Sequence, residues 1–484
     1  MELLLFILPV FFALSVLIVP KSGVRAYGII GSLAVLGVVI ACMMQYNNDG
    51  TIHFFGSNKE WLPETGITLS FGYDGISLIM LLLTAVLVPL VLVSNFKNEL
   101  AENRLFTSMV FFMQLGLIGV FISMDGLWFY VFWEITLIPI FLISWWFGAP
   151  ERKAALMKFF IYTFVGSLAM LAALIGIKVN AAHAASFYIE DLKAVVFTSK
   201  AACWLALGFF LAFAIKIPIF PFHTWQPDTY TKSPMAGTML LSGIMLKMAL
   251  YGMIRWMIPL FPEAMSCLQY PVIVLATIGV VYGAIIAIKQ KDMKRVFAFA
   301  SMSHVGLIAA AIMTWDFDAL SGSMVQIVNH GLVAVGLFLA VEIIERRTGT
   351  RNLADLGGYA KQAPKFAFWF AVLAFASVSV PLTSGFIGEF LMLKGIVSFD
   401  MIIGIIAGTT LIFGAVYTFR AYQLSMFGPV TRSEFPDLHW SELIVLAIII
   451  LAVVILGVYP AAITDFVNPS LKIVLQTLST PSGL

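Results

Sequence analysis

An all-α, polytopic membrane protein of about fourteen transmembrane helices is the fold this sequence predicts, and three observations predict it. Of its 484 residues, 61% are hydrophobic and only 11% are charged, far more apolar side chain than a soluble core of that length can hide. Apolar stretches of about 20 residues, the length that crosses a hydrocarbon layer of about 30 Å, recur from end to end with almost no connecting sequence long enough to fold on its own. Two of them are broken by proline and glycine in corresponding places, a mark of repeated membrane architecture.

Taken in order, the spans fall at roughly 3–20, 27–45, 75–95, 106–124, 126–147, 155–178, 201–230, 235–258, 271–289, 295–314, 320–344, 366–399, 402–426 and 441–460. The start, "MELLLFILPVFFALSVLIVPKSG", lacks a basic leading segment and a small-residue cleavage pattern, so it reads as the first helix and not as a signal peptide. The longest loop, 46–74, predicts a short hairpin or coil; Asp49, Lys59, Glu60, Glu64 and Asp74 in it suggest no chemistry. Of the 28 Lys and Arg residues, nineteen fall in or near loops after odd-numbered spans and seven on the other side. The positive-inside rule therefore places both termini outside and the odd loops toward the cytoplasm. Net charge is only +2 and there is no phosphate-gripping basic block, so nucleic acid is not an expected partner; the lipid bilayer is. Cys42, Cys203 and Cys267 are far apart in sequence and predict no disulfide framework, zinc site or iron–sulfur run. No Gly-rich nucleotide loop occurs either.

Span seven, in "LAFAIKIPIFPFHTWQPDTYTKSP", must open at Pro218 and Pro221, and span twelve, in "LAFASVSVPLTSGFIGEFLMLKG", at Pro381 and Gly385. The breaks lie five spans apart, and an odd offset inverts the topology. This predicts two inverted five-helix repeats, spans four to eight (106–258) and nine to thirteen (271–426). Three N-terminal helices (1–105) precede them, and a final helix with its tail (427–484) follows.

Ionisable side chains near mid-span point to chemistry. A charged group at the bilayer centre costs about 2.5–3.5 kcal/mol on insertion scales, and such groups mark ion or proton pathways. Glu134 is the lone carboxylate in "WFYVFWEITLIPIFLISWW"; the alternative to a proton-handling role is an inert helix–helix ion pair. Lys216 sits just before the first proline break. A nearby carboxylate would hold its ammonium charged and a departing one would release the proton, and Glu134 is the expected partner. Lys247 in "MLLSGIMLKMALYGMIRW" lies about twelve residues from either end of its span, too deep for a lysine stem to reach the interface. His304 and His330 lie on successive spans, and imidazole both takes and gives protons near neutral pH. No further ligand sits at i+3 or i+4 to suggest metal binding by them. Glu389 follows the second break as Lys216 precedes the first; its alternative is a carboxylate favoured by the helix dipole. His223 reads as a surface cap or supporting group. Lys158, Lys178, Lys394 and Arg255 lie near span ends and read as snorkelling, Lys158 being the exception to watch, while His53, His183 and His439 carry no role. Together Glu134, Lys216, Lys247, His304, His330 and Glu389 form an alternating acid and base series, the raw material of a proton wire along the membrane plane.

The runs "FYVFWEITLIPIFLI", "AFAIKIPIFPFHTWQPDTYTKSP", "SGIMLKMALYGMIRW", "DMKRVFAFASMSHVG", "VNHGLVAVGLF" and "GFIGEF" resemble the antiporter-like subunits of proton-translocating NADH-quinone oxidoreductase, complex I, over nearly the whole chain. Most members of that family carry lysine at the span-twelve site and one branch carries glutamate; Glu389 in "IGEF" resembles that branch. The resemblance implies that Glu134 and Lys216 are an ion pair gating input, Lys247 the central relay, His304 and His330 the link, and Glu389 the output. It also implies a membrane-arm subunit flanked by paralogous subunits, in a bacterial inner membrane. FMN, iron–sulfur clusters and quinone would belong to other subunits and no cofactor to this chain. A multisubunit sodium/proton antiporter, a membrane-bound hydrogenase-type complex and a non-pumping structural subunit are the competing expectations.

Overall fold

A computed structural model describes residues 1–55, 60–62, 64–180, 186–432 and 434–479; Lys59 and His183 fall outside them. Among the described residues, twelve helices are long and apolar enough to cross a membrane. They are span two (Lys21–Gln45), three (Gly75–Ser94), four (Arg104–Ile122), five (Gly126–Phe147), six (Arg152–Val179), the first half of seven (Ser199–Lys216), eight (Met235–Leu260), nine (Ser266–Lys289), ten (Met293–Met313), eleven (Phe317–Thr348), thirteen (Met401–Met426) and fourteen (Trp440–Val458). Shorter apolar helices supply span one (Leu4–Ile18) and the first half of span twelve (Pro364–Ser377). The broken spans resume as Trp225–Lys232 and Ser384–Phe399, which makes up the fourteen expected crossings.

Spans eight and eleven are wholly enclosed by the others, whereas spans two, thirteen and fourteen turn most of their surface outward. The enclosed pair carries Lys247 and His330. Charged groups in a membrane belong where protein, not lipid, surrounds them. The packing partners match between the halves of the chain: span four lies on five as nine lies on ten, and span six on seven as eleven on twelve.

At the first break the helix ends at Lys216, and the carbonyl of Ile215 accepts a hydrogen bond from Trp225 Nε1 at 2.8 Å. The Ile219 amide donates instead to the Ala214 carbonyl, which Pro218 cannot serve, and the Ile215 carbonyl left over finds a partner inside the protein, as membrane depth requires. At the second break the chain passes through left-handed conformations at Ser379 (φ 56°) and Leu382 (φ 78°). In the loop 46–74, His53–Phe55 pairs with Phe71–Tyr73 and Glu60–Leu62 with Ile67–Thr68, both antiparallel. Asp125 ties this loop to span five. Its carboxylate accepts from the Leu127 amide at 2.9 Å as an N-cap and from both the amide and the hydroxyl of Thr68 at 2.9 Å.

Two expectations are corrected. Cys203 and Cys267 form a disulfide, with Cα atoms 6.5 Å apart, joining the starts of spans seven and nine. A separation of 64 residues hid a contact that only the helix packing creates. The segment after span fourteen is not a simple tail but a helix, Ala461–Ser479, laid against spans three and eleven. Its Ile463, Val467, Leu471 and Val474 are buried at the three-to-four spacing of one helical face.

Candidate proton path

Span eight is the centre of the site. It is not a uniform α-helix: π-helical turns run through Leu241–Met245 and Met253–Met257, on either side of Lys247. Such turns displace one carbonyl from the regular ladder and often occur at functional sites. The ammonium group of Lys247 donates to the Ser242 carbonyl, five residues earlier, in the first of these turns. On its other side it lies 2.7 Å from His330 Nδ1 on span eleven. Lys247 is fully buried, and its partners are an imidazole and a backbone carbonyl, with no acid among them.

His330 and His304 have ring centroids 6.1 Å apart. They line a common cavity of about 30 Å³ with Ser301, Gln326, Asn329 and Tyr417, room for one or two waters by volume. On the far side, His304 Nδ1 lies 3.2 Å from Glu389 Oε1, and its Nε2 lies 3.2 Å from the Tyr417 hydroxyl. Gln326 donates to the same Glu389 oxygen at 3.1 Å, Asn329 donates to Gln326 at 3.3 Å, and Ser384 donates to Asn329 at 2.9 Å. This amide chain holds the start of the resumed helix against span eleven. Gly388 permits it, because a Cβ there would meet the Gln326 side chain and backbone within about 3 Å. Glu389 also lines a second cavity, of about 410 Å³, with Ser379, Phe386, Phe390 and Lys394.

The other end of the series is arranged differently from the expectation. Glu134 and Lys216 form no direct ion pair. They interact at longer range, and the Lys216 ammonium sits 5.5 Å from the Trp133 ring. A cation over an indole face gains attraction without a carboxylate. Lys216 is buried, while Glu134 is half-buried with Oε1 lacking a hydrogen-bond partner. The two side chains therefore stand apart, with the Lys216 ammonium resting against the indole of Trp133.

Three other placements differ from the sequence reading. Arg255 does not snorkel: it is buried and paired at 2.5 Å with Asp74, whose loop suggested no role. His223 is not a surface cap but is buried beside Phe220 and Tyr282, with ring centroids 5.7 and 5.0 Å away. Lys158 turns into the first break, donating to the Thr224 carbonyl at 2.8 Å and pairing with Asp228 at 3.2 Å. The sequence reading passed over Gln326, Asn329 and Tyr417. The two amides were visible as polar residues deep in an apolar span, three apart and so on one helical face, but only the fold puts Tyr417 of span thirteen beside His304.

A buried lysine in contact with a histidine, followed by a small cavity, a second histidine and a carboxylate, is an arrangement for passing protons. The chain belongs to the family described as NADH:quinone oxidoreductase/Mrp antiporter, TM, whose model matches residues 123–414. Within that family it is similar to NADH-quinone oxidoreductase subunit M of Rickettsia felis, with 34% identity over 90% of this chain and 89% of that protein. Among solved structures it is similar to a chain of respiratory complex I from Thermus thermophilus with bound NADH. That match has a TM-score of 0.91 and 32% identity, and covers 99% of this chain and 100% of the other. A chain of the Mrp complex from Dietzia sp. shares the fold at a TM-score of 0.87 with 20% identity, over 99% of both chains.

Proposed function

We propose that this chain is a proton-translocating membrane-arm subunit of a respiratory NADH:quinone oxidoreductase, of the subunit M kind. The observation that carries the reading is the Lys247–His330 contact at 2.7 Å, continued through the shared cavity to the 3.2 Å approach of His304 and Glu389. A protonated Lys247 hands its proton to His330 Nδ1. One or two waters in the cavity carry it to His304, and Glu389 takes it from Nδ1 of that ring toward the larger cavity. An imidazole has one nitrogen to accept a proton and another to donate one, which suits each histidine to stand between the lysine and the carboxylate. Approach of Lys216 to Glu134 and its retreat to the Trp133 ring switch that pair between closed and open and so time the release.

In this reading the two halves, 106–258 and 271–426, act as inverted units, one loading Lys247 and the other emptying Glu389. Glu134 is half-buried at mid-span in the isolated chain, and a carboxylate at that depth calls for a neighbouring subunit over it rather than lipid. The partners are other membrane-arm subunits, paralogous ones among them. NADH oxidation and quinone reduction, with FMN and iron–sulfur clusters, take place in those other subunits. The membrane is the bacterial inner membrane, with both termini outside.

Purification of the native complex through a tag on this chain tests the assignment. Flavin, iron–sulfur signals and NADH-driven quinone reduction should co-purify. A particle without flavin, containing only small ion-transport subunits, would overturn it in favour of an antiporter.

A further inference from the structure

Each proton that leaves Lys247 must be replaced. Span eleven carries another acid, Glu342, twelve residues beyond His330 and so about 18 Å further along the helix. It is 94% buried, since only 6% of its surface is exposed, yet its Oε2 has no hydrogen-bond partner in the protein. It faces Asn98, Arg346 and Lys294. The neighbouring charges are engaged elsewhere: Arg346 and Arg347 pair with Glu442, Glu345 with Arg351 at 3.3 Å, and Lys294 donates to the Ser233 carbonyl at 2.7 Å. Glu342 is therefore a buried carboxylate with a free oxygen. It lines a cavity of about 370 Å³ with Asn98, Phe147, Pro234 and Arg346, all near the ends of odd-numbered spans, the basic-rich side.

Between Glu342 and Lys247 lies a second set of polar groups with free atoms. The Tyr230 hydroxyl faces Gln226, Ser242 and Ser301, but it makes no direct hydrogen bond, and neither amide atom of Gln226 does. Ser242 and Ser301 hydroxyls are 3.3 Å apart, and the Ser242 carbonyl accepts from Lys247. Phe338, one turn before Glu342 on the same face, packs on the Tyr230 ring at 5.9 Å and also lines the cavity shared by the two histidines. Buried polar atoms without protein partners are exceptions that call for an explanation, and water is a common one.

We propose that Glu342 is the proton-uptake group that reloads Lys247, working through Tyr230, Ser301 and Ser242. The proposal rests on the translocation reading above. A proton from bulk water enters the 370 Å³ cavity and protonates the Glu342 carboxylate. The carboxylic acid then gives a proton to water beside Tyr230, and the hydroxyls each pass one on and regain one. The neutral Lys247 amine becomes an ammonium and Glu342 returns to its carboxylate, so nothing else is consumed. Phe338 packs on the Tyr230 ring and lines the histidine cavity, and Ser301 belongs both to this route and to that cavity, so loading meets release at Lys247 and Ser301.

The test uses the whole complex in inverted membrane vesicles, comparing Glu342→Gln, Glu342→Asp and Tyr230→Phe with Lys247→Ala, at matched complex content on native gels. Glu342→Gln should slow NADH-driven proton uptake about tenfold, short of the roughly 100-fold or more that a positioned acid or base can contribute, because water alone still reaches Tyr230 slowly. Formate, a small acid that fits the cavity, should restore much of the rate, and Glu342→Asp should keep most of it. Where Glu342→Gln fails to assemble, Tyr230→Phe carries the test and should slow turnover several-fold. Unchanged rates in Glu342→Gln or Tyr230→Phe, with Lys247→Ala inactive, would overturn the uptake route alone. A slow Glu342→Gln that formate does not relieve would also overturn it, since that is the behaviour of a structural residue. Normal pumping in Lys247→Ala would remove the translocation reading itself.

Discussion

Replacing Lys247 by arginine separates the presence of a charge from the passing of a proton. In the structure the lysine ammonium is held between the Ser242 carbonyl and His330 Nδ1, and the latter is the only titratable group within hydrogen-bond reach among the described residues. An arginine keeps the positive charge and the donors but holds its proton about two to three pH units more tightly. That is about 3–4 kcal/mol, or a slowing of release by about 100-fold or more. Lys247→Met is the complementary change. It keeps the length, removes the charge, and leaves His330 and the Ser242 carbonyl without their donor at about 1–3 kcal/mol each. Both variants are expected to assemble and to lose NADH-driven acidification of inverted vesicles, followed by quenching of a ΔpH dye at matched complex content. Arginine that supports wild-type pumping would refute the argument, since a fixed charge would then suffice and proton transfer through this side chain would not be needed.

Glu134→Gln should slow turnover by about 100-fold if transfer through this group is limiting. It should cost well under the about 3–5 kcal/mol of a broken buried ion pair, because no direct contact with Lys216 exists to lose; thermal unfolding of the purified complex measures the second part. Arg255→Met alone leaves the buried Asp74 unpaired and should lower stability by about 3–5 kcal/mol, whereas the double variant with Asp74→Leu should recover most of it. Gly75→Ala would drive a methyl group into the Phe466 carbonyl oxygen. Overpacking of about 1–3 kcal/mol should loosen the helix Ala461–Ser479, read as faster proteolysis of the C-terminal segment.

Much of this was legible in the sequence for physical reasons. A bilayer imposes a length of apolar residues on every crossing, so the fourteen spans stand out, and the proline breaks announce themselves by chemistry. Lys247, His330, His304 and Glu389 were conspicuous because a charge in an apolar span has so few reasons to be there. Contacts were not legible. Lys247 and His330 are 83 residues apart, and the π-turn that offers the Ser242 carbonyl leaves no mark in composition. The expected Glu134–Lys216 pair turned out to be a cation over Trp133, since spacing by spans says which helices carry groups but not how the helices are rotated. Arg255, Lys294 and Glu342 were misjudged or passed over because they lie near span ends, where sequence suggests an interface. The fold instead buries all three inside the bundle.

The central claim is that protons cross from His330 to His304 through the cavity between them. A cryo-microscopy map of the intact complex at a resolution that shows ordered water tests this most directly. One or two waters are expected in the cavity of about 30 Å³, hydrogen-bonded in line between the two imidazoles. A cavity that is dry, with the histidines still about 6.1 Å apart between ring centroids, would contradict it.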